Sequence, residues 1–405
     1  MDEQKVKDTG LSPTVKALGV VSMLADISSE MVYPLNAVFI TRVLGAPAWA
    51  LGLIEGIAES TASLLKLYSG WISDRIGKRK PFAVAGYGLG ALGKPLIALS
   101  GVWWQVLGAR FVDRLGKGLR TAPRDALIAE NCAENQRGRA FGYHRGMDTT
   151  GAVLGPLIGF CLLRYIWVSH PLAHFRSLYW IAFIPGAIGV LVLALMVHEK
   201  QREADPAKPI VRVPAPSFAQ LSPSYRAYLL IVALFSIGNS SDTFLILRAQ
   251  SPTMRVPPES VLLLYALFNV VEATLAYSVG RLSDRMDRKR LIALGYGVFA
   301  LVYLGFATMS GPAAAWGLFV LYGLYYTLTG GTQRALAADL ANPDRRATEI
   351  GAFHMIVGIA ALPASIVAGY LYALHPSAPF YLGAATSGAA ALLIATLNLR
   401  KRDCD

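Results

Sequence analysis

The sequence is poor in charged residues and in cysteine. Of its 405 residues, only 16% are Asp, Glu, Lys or Arg, whereas an average soluble chain has about 25%. The three cysteines, Cys132, Cys161 and Cys404, are too few for a disulfide framework and lack the spacing of a metal site. These shortages exclude a disordered chain, a disulfide-rich secreted protein and an ordinary cytosolic protein.

The sequence also lacks the motifs of an enzyme. No glycine-rich phosphate-binding loop occurs in its polar segments, so ATP is not the expected energy source. No catalytic constellation and no cluster of cysteine and histidine is present, so we expect neither an enzyme nor a cofactor. The first residues, Met-Asp-Glu-Gln-Lys, are too polar for a signal peptide.

What the sequence does have is a row of long apolar stretches. Hydrophobic residues make up 54% of the chain, and a bilayer core needs about 20 apolar residues per helix. Single stretches of this kind could be buried core helices, but twelve in a row with short polar links favour membrane spans. They run over 15–41, 47–72, 82–100, 103–120, 139–163, 175–197, 222–248, 258–283, 290–310, 313–338, 350–374 and 378–399. The sequence therefore predicts an all-α protein with twelve transmembrane helices.

The net charge of +12 is distributed unevenly between the links. Basic residues are concentrated in alternate links and at the C-terminus, which is typical of cytoplasmic loops. They are Arg75, Lys78, Arg79, Lys80, Arg285, Arg288, Lys289, Arg290, Arg345, Arg346, Arg400, Lys401 and Arg402. We expect both termini in the cytoplasm and a multi-pass protein of a bacterial inner membrane. The basic residues can contact lipid head groups, but they are too dispersed to bind nucleic acid.

The two halves of the chain repeat each other with an offset of 210 residues. Arg124 matches Arg334, and His144 matches His354, at this offset. Such a repeat in a membrane protein predicts two pseudo-symmetric six-helix bundles with a site between them. We expect an N-terminal bundle over 1–197, a cytoplasmic linker over 198–221 and a C-terminal bundle over 222–405.

A glycine, an acid and an arginine recur at the end of the second stretch in each half. The first copy has Gly70, Asp74, Arg75, Gly77 and Arg79, and the second has Gly280, Asp284 and Arg285. The glycine allows close helix packing, and the acid can accept hydrogen bonds from a helix N-terminus. We interpret the pair as a conformational latch. A plain basic loop would explain the lysines but not the recurring spacing.

The fifth stretch contains a regular series of small residues around a proline. The series is Gly142, Gly151, Gly155, Pro156 and Gly159. Small residues allow the helix to pack closely against a neighbour, and proline removes one backbone hydrogen bond. A general packing face is the alternative interpretation.

Together these motifs resemble the major facilitator superfamily over essentially the whole chain. The resemblance implies a fold of two six-helix bundles and a latch that switches between inward-open and outward-open states. The fifth-stretch series resembles the antiporter motif, which implies export by a drug/proton antiporter, although Phe160 replaces its final glycine. In the second latch copy, Asp287 replaces Gly77, so the tight turn is not expected there.

The fourth stretch carries charges along one helix face, at Arg110, Asp113, Arg114 and Lys117. Arg110 lies about 10 Å from the helix start. A charge at that depth is costly, so we expect it to face the protein interior and an acid. Its position resembles the family's fourth-span arginine, which is associated with proton coupling.

Buried acids are the candidates for coupling and for lining the substrate cavity. Asp26 and Glu30 stand four residues apart on the first stretch with no basic neighbour there. A buried carboxyl favours its protonated form, and a nearby arginine reverses this preference. The other candidates are Glu59, Lys94, Arg145, Asp148 and Glu272, and Asp242 on the seventh stretch is a further buried acid; we rank Glu55 lower because it lies closer to the outer surface. Permanent pairs, such as Glu59 with Lys66 or Asp148 with Arg145, are the alternative.

We therefore expect a monomeric secondary transporter that exports a small molecule in exchange for protons. The same acids leave efflux of a divalent metal ion open, with Asp26, Glu30 and Glu59 as ligands. The buried bases leave anions open, including a metal chelate or siderophore. A membrane-embedded receptor or enzyme without transport is the alternative of another class.

Overall fold

The computed structural model describes residues 11–132, 137–166, 174–199, 221–341 and 346–397. Within these ranges, the side chains at 67, 71, 74, 75, 137, 138, 277, 280, 281, 283–285 and 346–348 are not described. Fifteen α-helices form in the described residues: α1 Pro13–Glu30, α2 Asn36–Val38, α3 Ala48–Ile76, α4 Lys80–Ala98, α5 Trp103–Glu130, α6 Arg137–Cys161, α7 Phe175–Met196, α8 Pro223–Gly238, α9 Thr243–Ala249, α10 Ser260–Arg285, α11 Arg288–Thr308, α12 Pro312–Gly330, α13 Thr332–Leu340, α14 Arg346–Leu374 and α15 Ala378–Thr396.

Each of the twelve predicted stretches coincides with one helix or with a pair of broken helices. The first stretch is interrupted after α1 by the 3₁₀ turn Tyr33–Leu35, and it ends in the π-helix Phe39–Val43 after α2. Pro34 explains the interruption, because it cannot donate the backbone hydrogen bond of a continuous helix. The seventh stretch breaks between α8 and α9, where Asn239 leaves the helical conformation.

Six helices in the described residues are long and apolar enough to cross a bilayer. They lie within Arg139–Ile166, Phe175–Met196, Pro223–Ala249, Arg288–Thr308, Glu349–Leu374 and Ala378–Thr396. Helix α5 falls outside this set because it is rich in charge, yet Arg110 and Arg114 are almost completely buried. These two charges of α5 therefore face other helices rather than the surroundings of the protein.

Helices of the first half contact helices of the second half along α3 with α14 and along α6 with α10. A Cβ atom on Gly52 of α3 would lie only 2.2 Å from the carbonyl oxygen of Ser365 in α14. The Arg42 guanidinium donates a hydrogen bond of 2.6 Å to the carbonyl oxygen of Gln250. These contacts close the cleft between the halves at the end where α3 begins and α14 ends.

The two halves form their equivalent loops differently. Gly77 ends α3 with a φ of +71°, the left-handed conformation that glycine adopts readily. Asp287 has a φ of −60°, and its carboxylate accepts a hydrogen bond of 3.0 Å from the Lys289 backbone amide. The tight glycine turn is therefore present in the first half only, as the sequence predicts.

Matched ion pairs connect these loops to the end of the fourth helical stretch of each half, which is α5 in the first half and α13 in the second. Arg79 lies 2.9 Å from the Glu130 carboxylate at the end of α5. Arg288 pairs with Asp339 near the end of α13. The Glu199 carboxylate accepts hydrogen bonds from the backbone amides of Arg79 and Lys80. Most of the predicted linker, residues 200–220, lies outside the described part of the chain.

Candidate functional site

A cavity of about 340 Å³ lies between the first and second halves of the chain. A smaller chamber of about 40 Å³ adjoins it, since the two share Glu30, Tyr33, Arg114 and Lys117. The larger cavity is lined by Glu30, Tyr33, Glu59, Ser63, Arg114, Lys117, Ser236, Asn239, Ser240, Ser241, Asp242, Tyr265, Tyr326, Val357, Ala361 and Ser365. Its size suits a small molecule.

Arg110, which lines the smaller chamber, forms a buried ion pair with Glu55. Its guanidinium lies 2.9 and 3.0 Å from the two Glu55 carboxylate oxygens, and Glu55 has no exposed surface. The prediction that Arg110 faces an acid is thus confirmed. The expectation that Glu55 lies near the solvated outer surface is wrong, because distance along α3 shows depth but not that α5 covers this side chain.

Lys94 of α4 is held by an acid and a hydroxyl. Its ammonium lies 2.9 Å from Asp113 Oδ1 and 3.0 Å from Ser29 Oγ of α1. Lys94 is therefore a paired residue bordering the smaller chamber, and it connects α1, α4 and α5.

Glu59 pairs with Arg114 rather than with Lys66. The Arg114 guanidinium lies 3.4 Å from Glu59 Oε1, and it stands over the Tyr33 ring at 5.9 Å. Because this pair lines the larger cavity, Glu59 borders the site as predicted, but its charge is balanced.

Asp26 and Glu30 are the two acids of α1, and they differ from the acids above in having no basic partner. Both border the smaller chamber, and Glu30 also borders the larger cavity. Within the described residues, neither carboxylate lies within ion-pairing distance of a basic side chain. Glu30 Oε2 is buried and has no hydrogen-bond partner there. A proton on these carboxyls would remove the cost of burying an uncompensated charge.

The glycine series of α6 brings this helix against α1 just where the acids lie. A Cβ atom on Gly151 would lie 2.5 Å from the Met23 carbonyl oxygen, and one on Gly155 would lie 2.8 Å from the Ile27 carbonyl oxygen. A Cβ atom on Gly159 would lie 2.9 Å from the carbonyl oxygen of Met31, directly after α1. Gly142 differs, since a Cβ atom there would meet nothing within 4 Å. Pro156 lies inside α6. Three of the four glycines therefore serve the packing predicted from the sequence.

Arg145 and Asp148 do not pair with each other. Arg145 lies 3.0 Å from Glu272 of α10, so the pair connects the two halves of the chain. Asp148 lies 3.4 Å from His144 Nδ1 in the same helix. The alternative pairing is wrong because side chains three apart on α6 can turn to different neighbours. Arg145 is also 70% exposed, so this pair is solvated.

The second half contributes Asp242, which the sequence places among the buried acids, and two tyrosine partners that sequence reasoning did not single out. The Tyr322 hydroxyl donates a hydrogen bond of 2.5 Å to Asp242 Oδ1, and the Tyr326 hydroxyl lies 3.5 Å from Oδ2. Asp242 stands at the break between α8 and α9. Two signals for it were available in the sequence, namely the breaker run from Gly238 and the tyrosines at 322, 325 and 326.

The latch residues are described only in part. Gly70 faces α5, since a Cβ atom there would lie 3.2 Å from Ala122 Cβ. Gly77 and Arg79 form the turn and the Glu130 ion pair described above. The side chains of Asp74, Arg75, Asp284 and Arg285, and position 280, lie outside the described part, so the latch stays a prediction.

The residues proposed for a metal ion do not form a metal site in the described structure. No group of three or more His, Cys, Asp or Glu side chains there could hold a metal ion. Glu59 turns to Arg114, whereas Asp26 and Glu30 border the smaller chamber.

Comparisons with known proteins give the family and the fold. The family model described as Major Facilitator Superfamily matches residues 18–364. An uncharacterised MFS-type transporter of Methanocaldococcus jannaschii is 36% identical over 399 residues, which is 97% of each chain. A multidrug resistance protein MdtH of Photorhabdus laumondii is 27% identical, covering 89% of this chain and 88% of that one.

Solved structures share the fold at low sequence identity. The nucleoside transporter NupG superposes with a TM-score of 0.78 at 13% identity, covering 94% of this chain and 99% of that chain. A POT family transporter superposes with a TM-score of 0.76 at 14% identity, covering 94% and 95%. The all-helical fold, the apolar helices and the match along most of the sequence agree. The chain belongs to the major facilitator superfamily, and it is an integral membrane transporter rather than an enzyme.

Proposed function

We propose that this transporter exports a small molecule in exchange for protons. The proposal includes twelve membrane spans in two six-helix bundles over 1–197 and 222–405, joined by a linker over 198–221. It places both termini in the cytoplasm and a monomer in a bacterial inner membrane. The clustering of basic residues in alternate links supports this orientation.

The observation that carries the proposal is the pair of unbalanced acids on α1. Asp26 and Glu30 border the cavity system without a basic partner among the described residues. Protonation makes the two carboxylates neutral, and movement of the helices would then carry the bound protons to the other side of the membrane. The paired acids Glu55, Glu59 and Asp113 hold the surrounding helices together instead.

The closed end of the cleft supports an alternating-access mechanism. In the proposed orientation, α3 begins at the extracytoplasmic side, so the contacts of Gly52 with α14 and of Arg42 with Gln250 shut that side. The structure then corresponds to an inward-facing state. Opening outward requires these contacts to separate while the latch loops close the cytoplasmic side.

Two observations support export rather than import. The glycine series of α6 packs on α1 beside Asp26, as a motif that resembles the antiporter series would require. The relatives named as multidrug resistance proteins align along most of the chain. No geometry among the described residues favours a metal ion as the cargo.

The test is solute-driven proton release in everted membrane vesicles that contain the transporter. Vesicles acidified inside receive ethidium, L-phenylalanine, L-phenylalanine amide or N-acetyl-L-phenylalanine, and a pH-sensitive dye reports the loss of the gradient. We expect release with at least one solute, and we expect it to be abolished in the double variant Asp26→Asn/Glu30→Gln. Glu259→Gln, in the loop before α10, is the matched control. Equal release in the wild type and the double variant would contradict the proposal.

A further inference from the structure

On the first half, only one of the basic residues that line the cavity system lacks both a carboxylate partner and an aromatic ring in contact with it in the described structure. Three acids there are balanced by Arg110, Arg114 and Lys94. Arg120 is buried, and its guanidinium stacks over the Tyr87 ring at 4.2 Å. Lys117 alone is exposed in the cavity, and no described carboxylate lies within ion-pairing distance of it. Its ammonium is available to an anionic group of a solute.

The opposite wall, formed by the second half, offers the complementary charge. Asp242 is its only acid among the residues that line the larger cavity, and no described basic side chain pairs with it. The hydroxyls of Tyr322 and Tyr326 hold its carboxylate in place. The rings of Tyr265 and Tyr326 line the same cavity. A carboxylate beside tyrosine rings is a favourable site for an ammonium group.

A solute with a single charge fits this cavity poorly. While Glu30 carries a proton, a cation bound at Asp242 would leave Lys117 without a counter-charge, and an anion bound at Lys117 would leave Asp242 without one. An uncompensated charge becomes costly when the cavity closes around the solute, so the site discriminates against both classes. A solute with an anionic and a cationic group satisfies both walls and connects the two halves when the cavity closes.

We propose that the exported solute is a zwitterion of amino-acid size with an apolar or aromatic body, its anionic group bound by Lys117 and its ammonium by Asp242 with the neighbouring tyrosines. The inference rests on the proposed transport through this cavity. The cavity volume of about 340 Å³ sets the size. Asp26 and Glu30 keep the role of proton carriers, so their charge is not available to the solute.

The test is binding of three probes that share one body and differ only in charge. L-phenylalanine has both charges, its amide has only the ammonium, and N-acetyl-L-phenylalanine has only the carboxylate. Binding to the purified full-length transporter is measured in detergent by calorimetry. Because a hydrogen bond to a charged group changes affinity by about tenfold or more, we expect phenylalanine to bind at least about tenfold more tightly than either derivative. Tighter binding of the amide or of the N-acetyl form, or no binding of any probe, overturns the inference.

Two variants assign each charge to its wall. Lys117→Met is expected to weaken the binding of phenylalanine about tenfold and to leave the binding of its amide unchanged. Asp242→Asn is expected to weaken the binding of both phenylalanine and its amide. Lys117→Arg retains the cation and is the matched control. Equal weakening of all probes by Lys117→Met would indicate a structural role and overturn the assignment. If a variant does not fold, the ranking of probes on the wild type still decides.

The two proposals fail in distinguishable ways. Preference for the zwitterion in binding, combined with no proton release in vesicles, would contradict proton exchange but support the substrate class. Proton release driven only by ethidium would support proton exchange and overturn the zwitterion.

Discussion

The two walls of the cavity are built from the same helical repeat but from different side chains. The first half contributes a network of carboxylates, guanidiniums and ammoniums on α1, α3, α4 and α5. The second half contributes Asp242 and a cluster of tyrosine and phenylalanine rings. The ring centroids of Tyr322, Tyr325 and Tyr326 lie 5.3 to 5.5 Å from one another. The repeat therefore conserves the frame of helices and not the chemistry of the wall.

This difference suggests a division of labour. Ion pairs in a low-dielectric interior are strong, and they respond to a proton or to a charged cargo nearby. Tyrosine rings give a rigid surface with few polar atoms, which suits recognition of an organic solute. We infer that the first half couples protons and that the second half holds the apolar body of the solute.

The largest expected effect comes from breaking the first-half network at Arg110. Arg110→Met leaves Glu55 buried without a counter-charge, so we expect it to lower the free energy of unfolding by about 3–5 kcal/mol. Equilibrium unfolding in detergent micelles measures this change.

The double variant Arg110→Met/Glu55→Gln is the control for that prediction, because it removes both charges. It should recover most of the lost stability, since replacing a whole buried pair is often neutral. If the free energy of unfolding of Arg110→Met lies within about 1 kcal/mol of the wild-type value, the pair is solvated, as surface ion pairs are.

A smaller effect is expected in the second half from Tyr322→Phe. The change removes the hydrogen bond to Asp242, and bonds to charged groups contribute about 1.5–3 kcal/mol. The same unfolding measurement detects it. Tyr296→Phe is the matched control, because the Tyr296 hydroxyl is buried without a hydrogen-bond partner in the described structure. Equal losses in both variants would mean that the hydroxyl of Tyr322 has no special role.

The smallest effects distinguish the equivalent loops of the two halves. Gly77→Ala forces an alanine into the left-handed conformation, which costs about 1–2 kcal/mol. Gly77→Asn should cost less, because asparagine tolerates that conformation. Asp287→Ala removes a helix N-cap and should cost about 1 kcal/mol, and Asp287→Asn should retain most of the cap. An unchanged free energy of unfolding in Gly77→Ala would contradict the structural difference between the loops.

The helices could be predicted from the sequence because membrane spans are long apolar runs separated by breakers. The close packing of α6 against a neighbour could be predicted from Gly151, Gly155 and Gly159, since the spacing of small residues marks a contact face, but the sequence did not identify α1 as that neighbour. The partner of Arg110 could not. Position along a helix gives depth, but the neighbour that covers Glu55 is set by tertiary packing.

The second wall was harder to predict for the same reason. Asp242 stands at a break in the seventh stretch, while its tyrosine partners come from the tenth, about 80 residues later. Tyrosines on a membrane helix are common and do not indicate which acid they will meet. The exchange of partners at Arg145, which pairs with Glu272 of the other half, likewise depends on how the halves dock.

The most direct test of the account is the number of protons released when a solute binds. Calorimetry of phenylalanine binding to the purified transporter in two buffers of different ionisation enthalpy measures this number. If Asp26 and Glu30 exchange protons with the cargo, the wild type releases protons on binding, and the Asp26→Asn/Glu30→Gln variant binds without releasing any. Solute binding with the same proton release in both proteins would contradict the central claim.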